Sequence, residues 1–308
     1  MPRQFDDVML GSIELFCVSA ERESFKAAAA TMGLTPAAVS RSIARLEARL
    51  GVRLFVRSTR QIRLTDSGRA YFERCRQALD ELRDAERELS GQQDLPSGTV
   101  RISMATPFAH ARVLPLVPAF QARYPQIRIE AHLSNRNIDF VAEGYDLAIR
   151  CRTPPDSGLI ARTLEDAELV VVATPAYLAH AGTPDTPDDL ATHDCIQFIL
   201  PSSGQRIPWM FRDGPREVDL LTDGKVHCTD DPLGGVTLVR HDGGLLQTYR
   251  FLVDDDVRRG QLREVLQRYR GRSRPFSLLY PMSRHMPLRV RVLVDFLIEQ
   301  LRPAGGGM

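Results

Sequence analysis

The chain has 308 residues, 43% of them hydrophobic and 26% charged, with a formal net charge of +1. That composition excludes a disordered or fibrous chain and suits a globular protein with a full core, and the length suggests about two or three structural units. No apolar run reaches the roughly 18 residues of a membrane span, and residues 1–7 lack the apolar stretch of a signal peptide, so a cytoplasmic protein with no membrane partner is expected.

The first elements read as short helices. Ile13, Phe16, Cys17 and Ala20 share one face of a first helix, and Phe25, Ala28, Ala29 and Met32 one face of a second. The alanines allow the close approach that a small three-helix core needs. Gly33 permits the positive φ of a helix end, and Leu34 is expected to plug the core from the turn. Thr35 and Pro36 then open a third helix, a capping hydroxyl followed by a residue with no amide to satisfy. Its apolar residues Val39, Ile43, Leu46 and Leu50 step by four, three and four, which places them on one face. The remaining surface carries Ala37, Ser40, Arg41, Ala44, Arg45, Ala48 and Arg49. Small residues let the helix start approach a major groove, and arginines bond base edges or phosphates.

Gly51 ends this helix. Residues 52–57 and 61–65 read as two short strands of a wing whose tip carries Arg57, Thr59 and Arg60. From Ser40 to Arg63 there are seven arginines and one acid, Glu47, inside a nearly neutral chain. Such a cluster is the electrostatic footprint of a phosphate-binding surface. A solvated basic face is the competing reading, since arginine supplies 38 of the 40 basic residues. The candidate DNA-contacting residues are Thr35, Pro36, Ala37, Ser40, Arg41, Arg45, Arg57, Thr59 and Arg60.

Residues 67–89 form one long helical pattern. Tyr71, Cys75, Ala78, Leu82, Ala85 and Leu89 alternate steps of four and three, which predicts a coiled-coil-like seam joining two chains; packing against the helix's own domain is the alternative. Residues 92–98 read as a linker by their Pro, Gly and polar content.

Beyond Thr99, short apolar runs alternate with helical stretches, as in βαβ units around parallel sheets. Strands are expected at 100–105, 127–133, 146–150 and 169–174, with a helix carrying Val113, Leu116, Val117 and Phe120 after the first. Open α/β sheets bind ligands beyond the carboxyl ends of their strands. That rule selects Thr106 and Pro107, then Ser134 to Asn137 with Ser134 and Asn135 foremost, then Arg150 to Arg152 led by Arg150; Phe198 and Ile199 complete the candidate effector-binding set. Hydroxyls and an amide suit a small carboxylate or polar ring, and helix N-termini favour an anion. Turn and capping chemistry is the alternative for Thr106 and Ser134, and pinning a hinge through an ion pair is the alternative for Arg150.

No GxSxG, HExxH, P-loop or post-strand GxGxxG motif occurs, and the histidines show no ligand-like spacing, so no catalytic residue, metal site or cofactor is expected. Asp254-Asp255-Asp256 and Asp230-Asp231 read as solvated helix caps. Cys17, Cys75, Cys151, Cys195 and Cys228 are scattered and never form CxxC, which points to reduced, packed thiols, with a redox sensor as the alternative.

The stretch from Leu15 to Gly68 resembles the DNA-binding domain of LysR-type transcriptional regulators. The residues that carry the likeness include Phe16, Ser24-Phe25, Ala28-Ala29, Leu34-Thr35, Ala38-Val39-Ser40, Ile43, Leu46-Glu47, Leu50-Gly51, Leu54-Phe55, Arg57, Leu64-Thr65 and Gly68. The chain departs from the family at Glu23, where glycine is usual, and at Thr35-Pro36-Ala37, where Ser-Gln-Pro is usual, so the glutamine that commonly contacts a base is not present. Residues 120–125, 144–150, 174–178, 193–195 and 280–281 resemble the effector domain of the same family.

The resemblance implies an α+β multi-domain chain. A winged helix-turn-helix occupies 1–66, a dimerisation linker helix and hinge 67–98, and a two-lobed α/β effector domain like periplasmic binding proteins 99–308, with lobe one at about 99–168 plus 272–302 and lobe two at about 169–271. It further implies a transcriptional regulator that binds double-stranded DNA, responds to a small-molecule effector, assembles as a homodimer or homotetramer, and has RNA polymerase as a further partner. A thiol-based redox regulator of the same architecture and a solute-binding protein are the alternatives.

Overall fold

The computed structural model describes residues 7–57, 62–89, 96–136, 143–151, 158–200, 203–282 and 286–301. The chain forms two compact units, one built on residues 1–95 and the other on residues 96–138 and 145–308. Among the described residues no helix is long and apolar enough to cross a membrane.

The first unit runs α1 (Asp7–Arg22), α2 (Phe25–Met32), α3 (Pro36–Leu50), an antiparallel hairpin of β1 (Phe55–Arg57) and β2 (Ile62–Leu64), and α4 (Asp66–Leu89). Phe16 of α1 is the centre of its core, fully buried, with the Phe55 ring edge-on at 5.4 Å and Tyr71 at 5.5 Å. Val39, Ile43 and Leu46 bury the apolar face of α3 in the same core, and Leu50 sits half-buried at its end. A Ser12–Ser42 hydrogen bond of 2.9 Å ties α1 to α3 in the interior.

Two details depend on close approach. The Glu47 carboxylate is buried and accepts from the backbone amides of Leu54 at 2.9 Å and Phe55 at 3.1 Å. The lone acid of the arginine-rich stretch therefore anchors the start of the wing. At Gly68, a Cβ would lie 2.0 Å from the Leu54 carbonyl oxygen, so α4 can pass the wing backbone only without a side chain there. Leu34 lies on the surface, contrary to its expected place in the core. The left-handed turn at Gly33 (φ 66°) directs the chain outward at that point, and Phe25, Ala29 and Val39 fill the interior instead.

The second unit is organised by a seven-stranded sheet of β3 (Gly98–Met104), β4 (Ile127–Leu133), β5 (Leu147–Arg150), β6 (Leu159–Ala173), β11 (Leu246–Tyr249), β12 (Arg263–Val265) and β13 (Ser273–Pro281), in the order β11–β6–β13–β5–β3–β4 with β12 also paired to β6. Outside this sheet, β7 (Gln197–Ile199) pairs with β10 (His227–Thr229), and β8 (Trp209–Asp213) with β9 (Arg216–Leu220). Within this seven-stranded sheet only β3–β4 and β3–β5 pair in parallel, among the described residues. The sheet is thus mixed, which corrects the expectation of parallel pairing throughout. The chain leaves lobe one along β6 and returns along β13, and two strands that make the same crossing in opposite senses pair antiparallel.

The strand expected at 169–174 is the far end of β6, a single 15-residue strand. Residues 159–168 pair with β13 in lobe one, while residues 169–173 pair with β11 and β12 in lobe two. Along the second stretch side chains alternate between two cores, as the two-residue strand period requires. Val171 and Ala173 join Trp209, Phe211 and Leu245, whereas Val170 and Val172 join Val236, Val239 and Val253. Lobe one packs Ile102, Met104, Leu147, Ile149 and Leu278 against Phe108, Phe120 and the Leu288–Leu301 helix.

Residues 106–123 form an irregular helical run that passes from an α-turn through π-helical Ala109–Val113 and 3-10 Leu114–Leu116 to α-helical Val117–Arg123. Pro115 and Pro118 lack the amides that a regular helix would use. In the acidic triplet, Asp256 is not a solvated cap. It lies buried within the helix Arg250–Arg258 and accepts from Arg240 Nε at 2.9 Å, while exposed Asp255 pairs with Arg258. Asp231 accepts from Leu233 N at 3.1 Å in a turn just ahead of the helix Leu233–Arg240, whose N-cap is Pro232.

Candidate DNA-contacting and ligand-binding sites

Helix α3 is held by caps at both ends. Thr35 is its N-cap and accepts from Ala38 N at 3.2 Å, Pro36 follows at the first turn, and Gly51 closes the helix in a left-handed conformation. With the apolar face buried, Thr35, Pro36, Ala37, Arg41 and Arg45 lie exposed, and Ser40 is half-buried beside them. Positions 37, 41 and 45 are four apart and therefore share a helix face. Arg41 and Arg45 meet no carboxylate among the described residues, so both keep their donors for another partner. Arg57 ends β1 opposite Ile62; its side chain, Thr59 and Arg60 lie outside what the structure describes.

On α4 the predicted stripe divides. Cys75 is buried and Tyr71 half-buried in the core of the first unit, whereas Ala78 and Leu82 are exposed. The side chains of Ala85 and Leu89 lie outside the described residues.

In the second unit a cavity of about 220 Å³ opens between the lobes. From the effector-binding candidates it gathers Pro107, Asn135, Arg150 and Phe198. Thr106, Ser134 and Ile199 are not in its wall. Thr106 instead fixes Asn135: its amide donates to Asn135 Oδ1 at 3.0 Å, and Asn135 Nδ2 donates to its hydroxyl at 2.8 Å. Asn135 also donates to the Asp230 carbonyl at 2.6 Å, which links lobe one to lobe two. Ser134 accepts from Arg136 N at 3.4 Å in a local turn. Arg152 and Asn137 lie outside the described residues.

Arg150 ends β5, is buried, and donates to Ser103 O at 3.0 Å, Ile149 O at 2.9 Å and Ser103 Oγ at 2.7 Å. A second cation, Arg274 at the start of β13, also lines the cavity. Neither Asp nor Glu does, among the described residues. Tyr249 lines it next to Arg274, and burial raises its phenol above the usual range. Gln197 is buried in the wall, donates to Thr222 Oγ1, and its Oε1 has no hydrogen-bond partner among the described residues. The Gln247 amide, by contrast, is held at both ends, accepting from Met210 N at 2.8 Å and donating to Met210 O at 2.9 Å.

Sequence reasoning missed Arg274, Gln197, Trp209 and Tyr249. The run Phe276–Tyr280 was a readable strand signal, and Arg274 stands just ahead of it. Nothing local tells that this strand returns beside residues more than a hundred positions earlier.

Burial raises the thiols of Cys17, Cys75 and Cys228, and it pushes Cys195 up to about 12. A buried neutral thiol is a poor nucleophile; Cys17, Cys75 and Cys195 are buried in the cores, whereas Cys228 is half-buried and lines the cavity. Among the described residues no cluster of His, Cys, Asp and Glu is arranged to hold a metal ion.

Comparison with known proteins places this geometry. The family described as bacterial regulatory helix-turn-helix protein, lysR family, matches residues 10–69, and the LysR substrate binding domain matches residues 93–302. The HTH-type transcriptional regulator CrgA of Neisseria meningitidis serogroup C is 34% identical over 290 residues, 94% of this chain and 96% of its own length. The solved structure of CrgA superposes with a TM-score of 0.60 at 32% identity, over 95% of this chain and 98% of that one. The full-length structure of the Vibrio cholerae virulence activator AphB gives a TM-score of 0.62 at 25% identity, over 95% and 99%.

Proposed function

The chain belongs to the LysR family of transcriptional regulators, and from that premise we propose that α3 reads operator DNA, that α4 pairs two chains, and that the interlobe cavity takes the small-molecule effector. The observation that carries the DNA reading is the exposed α3 face, where Thr35, Ala37, Ser40, Arg41 and Arg45 stand beside a capped N-terminus. In a dimer, two such helices enter successive major grooves. Phosphate contacts supply most of the affinity, and side chains at the helix start discriminate bases. An effector alters DNA binding only if it binds one arrangement of the protein more tightly than another. We further place the protein in the cytoplasm, without catalytic activity, and with RNA polymerase as a partner once bound to DNA.

The test is footprinting on the protein's own promoter region and on genomic fragments. Sequence-specific protection is expected, with Arg41→Ala weakening binding to the cognate site by about 1–3 kcal/mol. Equal losses on cognate and random DNA reassign Arg41 to phosphate contact. No protected site on any fragment overturns the reading.

A further inference from the structure

We propose that the interlobe cavity is built for a small carboxylate with an apolar body, anchored by Arg274. This rests on the reading that the cavity is the effector site, and it names the chemistry of the occupant.

The charge comes from two arginines with different roles. Arg150 is locked into the sheet by its bonds to Ser103 and Ile149, so it contributes a positive field more than a movable donor. Arg274 is half-buried, and its partners are all neutral: Nε donates to Met210 Sδ at 3.4 Å, Nη2 reaches the Pro208 carbonyl at 3.5 Å, and the guanidinium also meets the Tyr249 hydroxyl. It forms no salt bridge with a carboxylate among the described residues. No acid lines the cavity to compete for it. A planar guanidinium matches a carboxylate through two parallel hydrogen bonds, and the surrounding apolar walls strengthen such a pair by lowering the local dielectric.

Those walls define the rest of the ligand. Ile196, Phe198, Trp209, Leu246 and Phe276 present aromatic and aliphatic surface. A cavity of about 150 Å³ accommodates benzene, so about 220 Å³ holds a six-membered ring with a carboxylate attached. One available guanidinium fits a single negative charge better than the two of a phosphate monoester.

The experiment is calorimetry on the full chain with benzoate, cyclohexanecarboxylate, benzamide and phenyl phosphate. Both carboxylates are expected to bind, with benzamide at least about tenfold weaker because it lacks the charge. Arg274→Gln should reduce the carboxylates to the level of benzamide and leave benzamide unchanged, and Arg274→Lys should restore part of the difference. Comparing acid with amide in the unaltered protein keeps the test decisive even if an Arg274 variant folds poorly. The proposal is overturned if benzamide matches benzoate, if Arg274→Gln binds carboxylates normally, if phenyl phosphate binds more tightly than benzoate, or if none of the four binds. Operator binding measured with each probe separates the two readings. A carboxylate held through Arg274 that leaves DNA binding unchanged supports the ligand class and defeats the effector role. A probe that shifts DNA binding without needing Arg274 does the reverse.

Discussion

Glu23 joins α1 to α2 with φ +47°, in the left-handed region where a Cβ is unfavourable. Members of the family usually carry glycine there, and the structure shows why: the turn needs a conformation that glycine adopts freely. Glu23→Gly is expected to stabilise the chain by about 0.5–1 kcal/mol, since the relieved strain exceeds the extra entropy glycine loses on folding. Equilibrium denaturation followed by helix signal reads this directly, and a lower midpoint for the variant contradicts it. The departure from the family was visible in the sequence; its conformational cost was not. Glu47 shows the same limit. Its type and position are plain in the sequence, but the two amides it accepts belong to residues seven and eight positions away, across a turn whose path no local pattern specifies.

At the scale of elements, the stripe on α4 divides into a part that is covered and a part that is not. The periodicity from Tyr71 to Leu89 was legible, but periodicity reports only that a face is apolar and not what covers it. The early part packs into the helix's own domain, while Leu82 remains 50% exposed in the single chain. Leu82→Glu is therefore expected to shift the protein toward monomer at micromolar concentration, because the substitution puts an unpaired charge into an apolar seam. Sedimentation velocity measures the shift; an unchanged assembly in a folded variant assigns pairing to another surface. Where α4 begins, Gly68 sets its distance from the wing. Gly68→Ala should destabilise the first unit by about 1–3 kcal/mol, since the added methyl meets the Leu54 carbonyl rather than a side chain that can yield. A wild-type denaturation midpoint for this variant refutes the close-approach argument.

At the scale of the whole molecule, the two lobes of the second unit share a continuous β6, and the crossing is braced by charge. Arg250 donates to Glu168 at 2.6 Å, the last residue of β6 paired in lobe one, and to Glu264 of β12 at 3.1 Å. Glu264 is 8% exposed and Arg250 28%. Arg250→Met strands a nearly buried carboxylate, and a loss of about 2–4 kcal/mol is expected, toward the lower part of the range for broken buried pairs because Arg250 retains some solvent contact. Calorimetric unfolding of the full chain tests it, and an unchanged transition shows that the brace contributes nothing net. The sequence by itself determined the helix caps at Thr35, Gly33 and Gly51, the buried face of α3, the arginine-rich surface opposite it and the two-lobed architecture through family likeness. Those features arise from interactions within about four residues or from a pattern repeated along one element. Only the tertiary structure decided that β6 is one strand across two lobes, that β13 runs antiparallel, and that Arg274, Gln197 and Trp209 meet Arg150 around one cavity. The cavity wall draws on segments from Ala105 to Phe276, and their meeting depends on strand order and crossing direction, which the packing of both lobes sets together and no single segment encodes.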